Sequence, residues 1–118
     1  MRNRTSIASE LIPGTLEMLI LKTLTGGPAH GYGIARHIEQ TSANVLQVGE
    51  SSLYPALQRL LKAKLVKAEW GVSSTNRRVR TYQITPSGLR HLEKQISSFT
   101  QMFEGIAHVL NPEQSPAS

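Results

Sequence analysis

The chain has 118 residues, 39% of them hydrophobic, and a formal net charge of +5. That length supports one modest hydrophobic core and one function, and no apolar run approaches the roughly 18 residues that a membrane span requires. The absence of cysteine excludes disulfides, thiolate metal sites and thiol catalysis.

Residues 1–14 read as an N-terminal extension. Met1-Arg2-Asn3-Arg4-Thr5-Ser6 is positive, but Glu10 and Pro13-Gly14 follow without an apolar stretch or a small-residue cleavage site. No export signal is expected, and the cytoplasm is the default compartment. From Thr15 to Leu24 the apolar residues Leu16, Leu19, Ile20 and Leu24 fall at helical spacing, with Thr15 as candidate N-cap and Glu17 well placed in the first turn. Gly26-Gly27-Pro28 ends that helix. A second is predicted from Gly31 to Thr41, Ile34 and Ile38 on one face, Arg36 and Glu39 on another. Ser42 to Gly49 is a connector in which Val45-Leu46-Gln47-Val48 is a candidate strand against a later hairpin.

The third helix is placed to begin at Ser51 or Ser52, both good caps, which puts Pro55 in its first turn, where a missing N–H matters little. Leu53, Leu57, Leu60 and Leu61 make its buried stripe. Ser51, Tyr54, Pro55, Gln58, Arg59 and Lys62 are left on the opposite, hydrogen-bonding face. Two β-type runs, Leu65–Trp70 and Val79–Ile84, flank a long basic tip from Gly71 to Arg78. Thr85 then caps a last helix with Pro86 at its first position, where proline is pre-organised. The expected fold is mostly α with a small β-hairpin: a winged helix-turn-helix over residues 15–85, a C-terminal dimerisation helix at 86–110 and a flexible tail at 111–118.

In the last helix Leu89, Leu92, Ile96, Phe99, Phe103, Ile106 and Leu110 recur at spacings of three and four, the rhythm of a helix packing lengthwise against another. The domain core can cover its first turns; the remainder would be an exposed apolar ridge on a monomer. These seven residues are the predicted homodimer interface, the alternative being a helix folded back on its own domain.

Nine of the thirteen basic residues lie between Arg59 and Lys94, opposed there only by Glu69 and Glu93. Such a cluster suits a polyanionic partner, although a solvated charged face has the same composition. A helix pair alone is weak evidence for DNA binding, but a basic hairpin directly after it adds a wing whose Arg77, Arg78 and Arg80 can reach phosphates or the minor groove. The predicted DNA-contacting set is Ser51, Ser52, Tyr54, Gln58, Arg59, Lys62, Asn76, Arg77, Arg78 and Arg80. Trp70 reads as core or wing-base packing, Tyr82 as structural, and Tyr54 either as a phosphate donor or as packed under the wing. His30 and His37 are about two helical turns, roughly 10 Å, apart, too far for one ion, and His91 and His108 have no partner at ligand spacing, so no metal or other cofactor is expected. The eight carboxylates are all glutamates, none paired with His or Ser in a catalytic motif. The glycines at 26–27 and 31–33 lack the strand context of a phosphate loop. No catalytic residues are assigned and an enzyme is not expected.

His30-Gly31-Tyr32-Gly33-Ile34, Ser52-Leu53-Tyr54-Pro55-Ala56-Leu57-Gln58-Arg59-Leu60, the Leu65–Trp70 run, Arg77-Arg78 and Tyr82-Gln83-Ile84-Thr85-Pro86-Ser87-Gly88 together resemble the PadR family of bacterial transcriptional regulators. The similarity covers about Leu16 to Leu92, and the leucine-tyrosine-proline element is its most specific part. The resemblance implies a winged-helix homodimer, usually a repressor, that binds a palindromic operator and pairs through its C-terminal helix, in the branch with one such helix. It implies that Ser52, Tyr54, Gln58 and Arg59 face DNA and that Arg77, Arg78 and Arg80 serve the wing. The family commonly has glycine where this chain has Lys64, so that turn must close without a left-handed residue or accept strain. Some relatives in this branch hold flat apolar drugs in the dimer cleft with a tryptophan of the last helix. Here Phe99, Met102 and Phe103 are the only comparable groups, so a small apolar effector is allowed but not indicated. The partners expected are double-stranded DNA and a second copy of the chain, with no membrane. The alternatives are a winged-helix protein-interaction module without specific DNA binding, and an RNA-binding module.

Overall fold

A computed structural model describes residues 14–114. The N-terminal extension up to residue 13, with its export-signal reading, and the tail at 115–118 lie outside the described residues. Helix α1 spans Thr15–Leu24 and is entered through Gly14 at φ 94°, without a side-chain cap. Thr15 is therefore the first helical residue and not the N-cap expected from sequence, because left-handed Gly14 already makes the turn into the helix. Leu16, Met18, Ile20, Leu21 and Leu24 are buried along it.

Strand β1 is only Ala29–His30, and helix α2, Gly31–Thr41, follows directly. The His30 ring caps α2, its Nδ1 accepting the Gly33 N–H at 3.0 Å. The helix ends in a Schellman turn: the N–H groups of Ala43 and Asn44 reach back to the Gln40 and Glu39 carbonyls at 3.1 and 2.8 Å, with both residues at positive φ. That curl denies the connector the extended backbone of a strand, so Val45–Val48 does not pair with the hairpin. Instead Val48 is buried and its N–H donates to the Glu39 carboxylate at 3.1 Å.

Helix α3 spans Glu50–Lys62 with extended Gly49 as N-cap and no side-chain cap bond. Ser51 and Ser52 are thus helical residues of the first turn, not caps, and Pro55 stands beyond that turn, inside the helix. There proline removes the N–H that would have bonded the Ser51 carbonyl. Leu53, Ala56, Leu57 and Leu60 are buried, while Leu61 is half-exposed. The helix closes on Lys64 at φ 64°, with Lys64 N–H to Leu61 O and Leu65 N–H to Leu60 O, both 3.0 Å. Of the two outcomes open at this position, the chain takes the left-handed one.

Strands β2, Val66–Val72, and β3, Arg78–Ile84, pair antiparallel in unbroken register from Val66 opposite Ile84 to Val72 opposite Arg78. Both outrun the sequence expectation, which shortens the tip to residues 73–77. The Ser73 N–H and hydroxyl clamp the Arg77 carbonyl and N–H at 2.8 and 3.2 Å, and Asn76 turns the chain at φ 62°. The sheet order is β1-β3-β2, so the third strand is Ala29–His30, pairing with Thr81 and Tyr82.

Thr85 caps helix α4, Pro86–Leu110, accepting the Gly88 N–H at 3.0 Å with Pro86 at the helix start. Gly88 is buried against the wing base, where an added Cβ would lie 2.1 Å from the Leu65 carbonyl oxygen. Only glycine lets α4 dock there. Within the expected tail, Pro112–Gln114 form a 3-10 turn. One core, centred on Ile20, Leu21, Leu24, Ile34, Leu53 and Leu57 and closed by Val66, Tyr82 and Leu92, holds the three N-terminal helices, the sheet and the start of α4. No helix of the described residues is long and apolar enough to cross a membrane.

Candidate nucleic-acid interface

Burial of Leu53, Ala56, Leu57 and Leu60 fixes the rotation of α3 and turns Ser51, Tyr54, Pro55, Gln58, Arg59 and Lys62 outward; Ser52 is half-buried beside them. Gln58, Arg59, Leu61 and Lys62 line one open hollow of about 620 Å³ together with Arg80 of β3. The helix face and the wing therefore meet. Asn76, Arg77 and Arg78 are exposed at the tip and its edge, at the end of the ladder farthest from the core. Among the described residues the sole ion pair is Arg59 with Glu17, so the other cations of this face carry their charge without a bonded carboxylate.

Trp70 departs from the packing expected of it: it is 56% exposed. Opposite residues of an antiparallel ladder share a face, which puts Trp70 beside Arg80, and Arg78 two residues along. Their guanidinium carbons lie 4.5 Å (Arg78) and 5.7 Å (Arg80) from the indole centroid, within cation–π range. Trp70 thus serves as a platform that stiffens two wing arginines. Tyr82, in contrast, is buried as expected, and burial pushes its phenol above the ordinary tyrosine range, with the Arg80 charge opposing. Tyr54 lies over the start of α2, where a Cβ on Gly31 would sit 2.7 Å from its hydroxyl. With His30, Tyr32, Trp70, Arg80 and Tyr82 it lines a second hollow of about 460 Å³ between α3 and the wing. Sequence reading missed His30 and Tyr32 here, because only the pairing of β1 with β3 brings them beside the wing.

Arg59 is held from an unexpected quarter. Its Nε donates to Glu17 Oε2 of α1 at 2.6 Å, and that hydrogen bond, followed by the carboxylate's charge, raises its already high pKa. Forty-two positions separate the two residues, a distance at which no local pattern signals a pair.

Along α4 the predicted interface divides. Leu92 is 4% exposed and belongs to the domain's own core, which corrects its assignment to the ridge. Leu89, Ile96, Phe99, Phe103, Ile106 and Leu110 are exposed, and Met102 and Val109 join them. Phe99 and Phe103 stack on each other with centroids 6.3 Å apart.

The profile of the transcriptional regulator PadR-like family matches residues 20–94, which include both hollows' lining residues and the start of α4. The chain belongs to that family. PadR-like proteins are transcriptional regulators and not enzymes. A PadR family regulator from Eggerthella lenta superposes with a TM-score of 0.75 at 28% identity, over 90% of each chain. The Lysinibacillus sphaericus protein X is 29% identical over 100 residues, 85% of this chain and 92% of that one. The Bacillus subtilis PadR structure, determined in complex with operator DNA, shares the fold at a TM-score of 0.62 and 23% identity, over 69% of this chain and 47% of that one.

Proposed function

We propose that this PadR-like chain is a sequence-specific DNA-binding regulator that works in the cytoplasm as a homodimer and represses by occupying a palindromic operator. Residues 15–85 form the DNA-binding unit and the helix at 86–110 the dimerisation element. Two copies of α3 enter successive major grooves about 34 Å apart, while Asn76, Arg77, Arg78 and Arg80 approach the backbone alongside. The observation that carries this reading is the meeting of Gln58, Arg59 and Lys62 with Arg80 around one hollow, which sets base-reading and phosphate-binding side chains on one surface. The operator complex of the Bacillus subtilis neighbour supports the same use of the fold. The exposed Phe99, Met102, Phe103 and Ile106 support the dimer, since soluble monomers seldom leave such a ridge open.

Gel-shift competition among random duplex DNA, the chain's own promoter fragment and structured RNA tests the reading. A preference for the promoter duplex by three orders of magnitude, roughly the lower bound for specific sites, is the expected result. Equal competition by all three would leave only a basic interaction module, and RNA outcompeting DNA would replace the proposed partner.

A further inference from the structure

We propose that Glu17 is a specificity-determining positioning residue, which holds the Arg59 guanidinium by its inner edge so that the outer edge reads one G·C base pair in each half-site. The inference rests on the DNA-binding reading above and deepens it.

The geometry has three parts. The Glu17 side chain is 16% exposed and Arg59 60% exposed, so the carboxylate is a fixed part of α1 and the arginine reaches outward from it. The bonded atom is Nε, the proximal nitrogen of the guanidinium. The distal pair of amino groups, the fork that matches guanine O6 and N7, is the edge this bond leaves to an outside acceptor. Around Arg59 stand Gln58, Lys62 and Arg80, so its fork opens onto the surface where α3 and the wing meet.

Neither of the usual roles of an ion pair accounts for this one. Exposed pairs add little to stability, and the buried contacts of α1 with α3 already hold the two helices together. Nor does the pair help affinity, because a carboxylate set against a phosphate-binding face cancels one of the charges that releases counterions. What the pair does provide is order. A free arginine must lose rotamer entropy to make a bidentate contact, whereas one clamped at Nε has already lost it, and pre-organisation of this kind favours the matched base over a mobile phosphate contact. The carboxylate thus lowers binding to any duplex while raising discrimination among duplexes.

Opposite signs make the test sharp. Selection from random duplexes, with measured affinities for the best site and for random DNA, is run on the intact protein and on Glu17→Gln and Arg59→Lys. Glu17→Gln should bind random DNA several-fold tighter with a salt dependence steeper by about one phosphate contact per chain. It should also lose about tenfold or more of the preference for G·C at one symmetric position. Arg59→Lys, which keeps the charge and removes the fork, should lose preference at that same position and no other. A Glu17→Gln base profile identical to that of the intact protein overturns the inference, as does a parallel loss of specific and random binding, which marks a purely structural pair. If the intact protein itself prefers no base anywhere, the DNA-reading function fails instead, and the two failures are distinct.

Discussion

The Leu65 carbonyl is the most crowded polar group at the base of the wing. It accepts the Thr85 N–H at 3.1 Å and the Thr85 hydroxyl at 3.0 Å, and the hydroxyl also reaches the Lys64 carbonyl at 2.9 Å. Gly88 lies against the same oxygen, close enough that a methyl group would stand 2.1 Å away. That oxygen belongs to backbone that cannot swing aside, and Ile84 Cγ1 would stand 2.8 Å away, so Gly88→Ala should destabilise the fold by about 3 kcal/mol, read as a lowered urea midpoint at unchanged m-value. One residue before Leu65 the sign reverses. Lys64 holds φ 64° in a Schellman turn that glycine adopts without Cβ strain. Lys64→Gly should therefore stabilise by about 1 kcal/mol, the relieved strain outweighing the added freedom of the unfolded chain. A lower midpoint for that variant would show that the lysine carries a compensating contact.

The helix boundaries follow from signals that are local. Thr85-Pro86 marks the start of α4, and apolar spacing marks α1 and α2, because caps and periodicity act within one or two turns. Thr85 does more than cap, since its hydroxyl also ties the helix to the Lys64 and Leu65 carbonyls. Thr85→Ala should accordingly cost about 2 kcal/mol, the upper end for a lost cap, with the loss visible as faster amide exchange at Gly88 and Leu89. Where the sequence misleads, a long-range contact decides. Ala29–His30 has no strand pattern of its own and becomes one only by pairing with β3, while Val45–Val48 has the β-branched composition but follows a left-handed curl. Trp70 looks like a core residue by type, yet the ladder carries it past the edge of the core, where it stays largely exposed with two arginines beside its ring. The outward face of α3 was legible because burial of its leucines dictates it. The Glu17 clamp on Arg59 was not, since it depends on how α1 crosses α3.

Helix α4 runs about 27 Å beyond Leu92, and from Ile96 to Leu110 its apolar residues face outward. Phe99→Glu with Phe103→Glu should reduce the mass in sedimentation from two chains to one while leaving the helical circular dichroism in place, because neither residue belongs to the domain core. Persistence of the two-chain mass would remove this ridge as the interface. In the proposed homodimer the wing is present twice, so that each arginine lost from the tip would be lost twice per operator. Each phosphate contact contributes about 0.9 to the slope of log affinity against log salt. With Arg77 and Arg78 each on one phosphate, changing both to alanine should flatten the slope of the dimer by about 3 to 4. Arg78→Ala alone should lose more than its share, for its guanidinium lies 4.5 Å from the Trp70 ring, an arrangement that holds the charge in place before DNA arrives. Trp70→Ala keeps every charge and removes only the platform. It should weaken binding at all salt concentrations by a similar factor, with little change in slope, whereas an arginine deletion changes the slope itself. A Trp70→Ala slope that falls as far as that of Arg78→Ala would mean that the cation cannot reach its phosphate without the indole, and that the ring does more than hold a charge in place beforehand.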